Sequence, residues 1–238
     1  MKFGIFSNNT LKIVACISML IDHIGAILFP NVYILRIIGR VAFPVFAFLL
    51  AEGCFYTRNK FRHLFVISFF AIVMQVVLFI ATKMIDFNIF IHFSIGVFLC
   101  YIINDIEKLI KRRKILLCIF LTLLFIAVIV LLICIDKYTT YFFSNYGIYG
   151  ILLPVVLYLI KKYLNKIHIY FSIIAICICC VLMHYFTPYF YQLFGMISCC
   201  FIILYNGKKG KYNLKYLFYF FYPLHMVILY GISLLIGG

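Results

Sequence analysis

Residues 11–53 read LKIVACISMLIDHIGAILFPNVYILRIIGRVAFPVFAFLLAEG. Two apolar runs of helical length meet at Pro30 and Asn31, and each is long enough to cross a bilayer. Asp22, His23, Arg36, Arg40 and Glu52 lie inside these runs. Ionisable groups are costly in lipid. Such a group is read first as part of a functional site that faces a protein interior or a wet cavity.

The rest of the chain is built as a container for that stretch. Of 238 residues, 67% are apolar and 11% are charged. That leaves too little polar surface for a soluble domain of this size. The composition predicts an all-α, polytopic transmembrane bundle in the cell membrane, with lipid as its first partner. The pattern predicts about nine spans, at 11–29, 32–56, 64–83, 88–103, 115–135, 148–160, 167–186, 189–205 and 216–236. The second is expected to begin as an interfacial turn before Gly39, and Pro188 is expected to end the seventh. No intervening loop exceeds about 12 residues, so residues 1–238 are read as a single domain. The first apolar run carries Asp22 and His23 and has no small-residue cleavage site after it, so it is not read as a signal peptide.

The net charge of +15 does not point to nucleic acid. The cations sit in short loops between apolar runs, without a stacking platform or a binding motif. With the N-terminus in the cytoplasm, 17 of the 21 Lys and Arg fall on the inner side, which is the orientation the positive-inside rule selects. The inner cations suit anionic headgroups and equally the phosphates of a cytosolic cofactor. The ten cysteines lie almost wholly within apolar runs and are read as small hydrophobes, with no disulfide framework and no metal site. No Walker A loop, dinucleotide fingerprint, nucleophile elbow or zincin motif occurs.

Within this frame the chemistry-bearing residues are few. His23 is the candidate base and Asp22 the group that orients it or balances its charge. The two are adjacent, so their side chains diverge by about 100° on a helix and do not simply bond each other. One of them is expected to reach an Arg. Arg36 and Arg40 are four apart and share a helix face. They serve an anion, or charge developing on a carbonyl oxygen, or they pair with Asp22. Helix rise places His23 and both Arg in the outer half of the bilayer. His225, just after Pro223 in the last span, is either a second group converging on the site or a core histidine. Glu52 is expected to pair with Arg58 or other cations of the following loop. His92 and His184 are expected at outer span ends, meeting interfacial water. His63 and His168 are expected at the surface. In the run NYGIYG, Asn145 to Gly150, Tyr146 is a candidate donor to a bound carbonyl.

Several stretches resemble one family. LKIVACISMLIDHIGAILFP, LRIIGRVAFPVFAFLLAEG with FYTRN after it, NYGIYGILLPVVLYLIKK and YFFYPLHMVILY resemble the TraX family of membrane proteins, named after a conjugative-plasmid protein associated with N-terminal acetylation of pilin. More remotely, the chain is similar to acyltransferase type 3 membrane proteins. By that resemblance His23 matches a first-span His, Arg36 and Arg40 match early Arg positions, and His225 matches a late-helix His. The resemblance implies transfer of an acetyl or other short acyl group from acetyl-CoA or a similar acyl-CoA. The acceptor would be an amine or hydroxyl of a peptide, glycan or lipid at the outer side. His23 and Asp22 with Arg36 and Arg40 would form the catalytic group, and Arg40, His225 and Tyr146 would hold the cofactor. Two other readings stand beside this one. The first is a transporter or channel in which the same Asp, His and Arg residues relay protons or anions, although no internal repeat is evident. The second is a non-catalytic scaffold.

Overall fold

Ser7 opens the first helix, its Oγ accepting the backbone N–H of Thr10 at 3.2 Å. Asn59 and Asn88 do the same for two later helices, accepting from Arg62 N–H and from Phe90 and Ile91 N–H. These are the short polar side chains that N-caps favour. The computed structural model describes residues 4–83, 87–138, 146–187, 190–212, 214 and 216–236. Among them run α1 (Asn8–Ile27), α2 (Tyr33–Gly39), α3 (Ala42–Tyr56), α4 (Lys60–Thr82), α5 (Ile89–Lys111), α6 (Ile115–Tyr138), α7 (Gly147–Tyr163) and α8 (His168–Phe186). A 3-10 helix (Phe190–Ile197), α9 (Ser198–Ile202) and α10 (Leu217–Ile236) complete the order. With α2 and α3 counted as one segment, and the 3-10 helix with α9 as another, these make nine apolar helical segments. Seven are long and apolar enough to cross a membrane, and the fold is a multi-pass membrane bundle.

The break between α2 and α3 has a local cause. Pro44 has no N–H to offer the carbonyl of Arg40, and its ring crowds that carbonyl. The backbone turns over Arg40 and Val41 through i→i+3 bonds, Arg40 N–H to Ile37 O and Val41 N–H to Ile38 O. α3 then runs through the middle of the bundle with Val45, Ala47 and Phe48 buried. α6 lies at the other extreme. It packs on α5 and α7 and leaves most of its apolar surface to lipid.

Contacts gather the basic loops on one face. Lys60 Nζ meets Asp105 Oδ1 at 2.5 Å, Lys162 pairs with Glu107, and Tyr163 donates to Glu107. Arg62 Nη2 donates to Tyr216 Oη at 3.3 Å. The N-terminal lead joins them, because Phe6 N–H donates to Leu204 O and Asn206 N–H to Phe6 O.

Several boundaries differ from expectation. The fourth span does not stop at residue 103: α5 continues to Lys111, because its polar end finds ion partners on α4 and α7. The eighth is a short crossing, running from Tyr191 beside the Arg pair to Leu204 beside Phe6 at the basic face. Its 3-10 part rises about 2.0 Å per residue and its α part about 1.5 Å, which gives roughly 23 Å against a hydrocarbon core near 30 Å. Glu52 does not pair with Arg58. Its Oε1 lies 3.1 Å from Lys161 Nζ and 3.5 Å from His168 Nε2. His168 is consequently buried rather than a surface group, and His63 is half-buried with Nδ1 2.6 Å from Tyr101 Oη. His92 is fully enclosed, not at interfacial water. Asn145 and Pro188 lie outside the described residues.

Candidate functional site

Asp22 is the electrostatic centre of the outer half. Arg40 Nη2 donates to both of its carboxylate oxygens, at 2.6 and 2.5 Å. Arg36 Nη1 lies 3.0 Å from Oδ2 and donates to the Asp22 carbonyl at 3.1 Å. The i,i+4 spacing puts both guanidinium groups on one face of α2, as expected, and the glycines let that face close on α1. A Cβ added at Gly39 would stand 2.2 Å from Asp22 Cβ, and one at Gly25 would stand 2.7 Å from Leu35 Cβ. Small residues thus bring the two backbones together where the charges must meet.

One carboxylate between two guanidinium groups leaves one positive charge over. Arg40 is 3% exposed and enclosed on all sides. Its Nη1 is 3.5 Å from Gln192 Oε1, and its Cζ lies 5.0 Å from the Tyr191 ring and 5.9 Å from the Tyr146 ring. Arg36, with a side chain 15% exposed, also packs on Tyr191. It is the more accessible bearer of the excess charge. Gln192 and Tyr191 come from the 3-10 helix and were not singled out in the sequence. A buried Gln inside an apolar segment was the available signal.

His23 points to a different partner from its neighbour. Its Nδ1 lies 2.7 Å from His225 Nε2, and the two rings stack at 4.9 Å. His225 Nδ1 lies 2.6 Å from the carbonyl oxygen of Phe221. A carbonyl only accepts, so His225 carries its proton on Nδ1 and accepts at Nε2. His23 must then donate from Nδ1, and neutral His23 has its lone pair at Nε2. The tautomer is assigned by this network. Tyr222 stacks on His23 at 5.4 Å and lies 5.6 Å from the His225 ring, so the three rings form one cluster.

Tyr146 stands just before α7, at a turn where Gly147 takes a φ of +53°. Its ring stacks on Phe43 at 4.3 Å and meets His92 edge-on at 6.0 Å. His92 is anchored in turn, its Nδ1 donating to the Asn88 carbonyl at 3.2 Å. The structure thus brings together Asp22, His23, Arg36, Arg40, Tyr146 and His225. Glu52, His63, His168 and His184 lie elsewhere.

These six residues line a chamber of about 200 Å³ or stand against its wall. Ala26 and Thr82, on the outermost turns of α1 and α4, lie at its exposed edge. Below it lies a cavity of about 570 Å³ whose lining runs from Met19 and Phe46 to Asn8, Lys12, His63 and Lys209 at the basic face. Met19, Phe46, Ile89 and Tyr222 line both spaces. Met19 sits one helical turn below His23, on the same face of α1.

No solved structure matches the chain. A probable fimbrial assembly protein, FimC of serogroup H1, from Dichelobacter nodosus is 25% identical over 94% of each chain. An uncharacterized protein, RP591, from Rickettsia prowazekii (strain Madrid E) is 40% identical over 95 residues, which are 40% of this chain and 36% of that protein. The TraX protein family model matches residues 7–233. That match takes in both halves of the Asp–Arg and His–His pairs and nearly the whole bundle, and the chain belongs to the TraX family.

Proposed function

We propose that this chain is a membrane acyltransferase. It moves an acetyl or other short acyl group from acyl-CoA on the cytoplasmic side to an acceptor amine or hydroxyl on the outer side. The observation that carries the reading is the pair of spaces in series. A large cavity opens at the basic face, and a small chamber holding His23 and the Arg pair opens at the other, with a shared wall at Met19, Phe46, Ile89 and Tyr222. A thioester too polar to cross the membrane can present its acyl end to the chamber while its head stays inside.

The chain's own groups divide the work. Acyl-CoA supplies a thioester carbonyl when bound. His23 Nε2 takes the proton of the acceptor N–H or O–H as the acceptor attacks that carbonyl. His225 Nε2 receives the hydrogen bond from His23 Nδ1 and so keeps the lone pair at Nε2. The uncompensated charge of the Asp22–Arg36–Arg40 cluster faces the oxyanion that forms on the carbonyl oxygen. His23 returns the proton to the departing thiolate, which leaves as CoA. Arg40, closed in by Asp22 and Gln192, orients Asp22 and Arg36 more than it contacts the donor.

The test is transfer of labelled acetyl from acetyl-CoA by membranes containing the full chain. Incorporation is expected with the wild type and lost in His23→Ala. Equal incorporation by both would remove the proposed base. The two spaces in series also describe a conduit, which favours transport as the second reading. It requires solute or proton flux in liposomes without any acyl donor.

A further inference from the structure

The mouth of the inner cavity is built differently from the rest of the basic face. Asn8, Asn9 and Lys12 reach it from the first turns of α1, and Gly207 and Lys209 reach it from the loop after α9. Three hydrogen bonds fix that loop. Asn8 N–H donates to Lys208 O at 2.8 Å, Asn9 Nδ2 to Tyr212 O at 2.6 Å, and Lys208 N–H to Asn206 Oδ1 at 2.9 Å. Gly207 and Gly210 hold φ of +72° and +91°, and a Cβ at Gly210 would stand 2.8 Å from Asn9 Nδ2. The loop therefore lies directly against the start of α1. Among the described lining residues the one carboxylate is Glu52, whose charge is engaged by Lys161 and His168.

We propose that Lys12, Lys209 and the turn at Gly207 form a phosphate-binding mouth that holds the nucleotide end of the acyl donor. This rests on the acyltransferase reading above. The depth agrees with it. Lys12 and His23 are eleven residues apart on α1, or about 16 Å at ~1.5 Å per residue. The arm between the thioester sulfur and the first phosphate of CoA has about 13 bonds, and at ~3.5 Å per three bonds of extended chain it reaches roughly 15 Å. A phosphate held at Lys12 therefore leaves the thioester at His23.

Anionic lipid headgroups share the phosphate chemistry, so the experiment separates the two sources. Binding of CoA and of pantetheine, which has the arm without the phosphates, is measured on the full chain in nanodiscs of zwitterionic lipid. CoA is expected to bind roughly tenfold or more tightly than pantetheine, the scale of a few charge-assisted hydrogen bonds. Lys12→Gln with Lys209→Gln should weaken CoA by at least that factor and leave pantetheine unchanged. Lys12→Arg with Lys209→Arg should restore CoA. Unchanged CoA affinity in the double Gln variant, with acyl transfer intact, overturns this site alone. So does a double Gln variant that loses only its response to added phosphatidylglycerol, which would give the mouth to a headgroup. A wild-type chain that binds neither CoA nor pantetheine overturns the acyltransferase reading with it.

Discussion

Gly39 lies against Asp22 with no room between them: a Cβ at residue 39 would stand 2.2 Å from Asp22 Cβ and 2.4 Å from Oδ1. The approach of α2 to α1, and with it the reach of two guanidinium groups to one carboxylate, depends on a missing side chain. Gly39→Ala should therefore push α2 outward and cost about 1–3 kcal/mol or more, as overpacking does. Thermal unfolding of the purified chain in detergent reads the loss. An unchanged midpoint would show that α2 adjusts freely.

The Asp22 cluster carries a second expectation. Asp22→Asn leaves two guanidinium groups at a buried site without their counter-charge. Removing one partner of such a pair costs about 3–5 kcal/mol. Adding Arg40→Met should recover part of that loss, because the enclosed cation disappears with its partner. Strictly additive effects in the double-mutant cycle would contradict the direct pairing at 2.5 Å.

The His23–His225 bond separates a base from the group that sets its tautomer. His23→Ala removes the base and should abolish acyl transfer. His225→Ala frees the His23 proton to move between ring nitrogens, and should lower the rate on the order of a hundredfold. His225→Gln can place an amide oxygen near the position of Nε2 and should recover much of that rate. If Ala and Gln at residue 225 are equally active, the hydrogen bond has no part in the chemistry.

Met19 tests the passage. Met19→Trp adds bulk to the wall between the two spaces while leaving His23, Arg36 and Arg40 themselves unchanged. Acyl transfer should fall by roughly tenfold or more while CoA binding at the mouth persists, since only the reach of the arm into the chamber is blocked. Full activity in this variant would mean that the acyl group arrives by another route.

Glu52 and Lys161 predict a stability effect remote from the Asp22–Arg and His–His network. Lys161→Met strands the Glu52 carboxylate between α3 and α7 and should cost about 3–5 kcal/mol. The same melting experiment reads it. Retained stability would show that His168 suffices as the partner.

Much of this is legible in the sequence. The membrane class follows from two-thirds apolar content in runs of about 20 residues. The shared face of Arg36 and Arg40 follows from their spacing, and the placement of one of the Asp22–His23 pair on an Arg follows from their divergence. An irregular start to the second span, before Gly39, was expected, but Pro44, which sets the break before α3, was not singled out. Less legible was the eighth segment, whose 3-10 winding depends on packing: Gly195 lies against Cys180, Pro44 and the Arg40 carbonyl. Nor did the neighbourhood of Glu52 show that its partners would come from α7 and α8 rather than from the next loop.

The sequence by itself determined that the chain lies in a membrane, that its cations gather in the loops between apolar runs, and that the first two spans carry Asp22, His23, Arg36 and Arg40. These are consequences of hydropathy, loop charge and helical period, all of which act over a few turns. Only the tertiary structure decided that His23 meets His225 across 202 residues, that Arg40 is sealed behind Gln192, and that two cavities share a wall. Such meetings depend on which helix faces pack. In a chain where nearly every face is apolar, packing is selected by shape, by glycines such as Gly39 and by the few buried polar partners, none of which leaves a periodic trace.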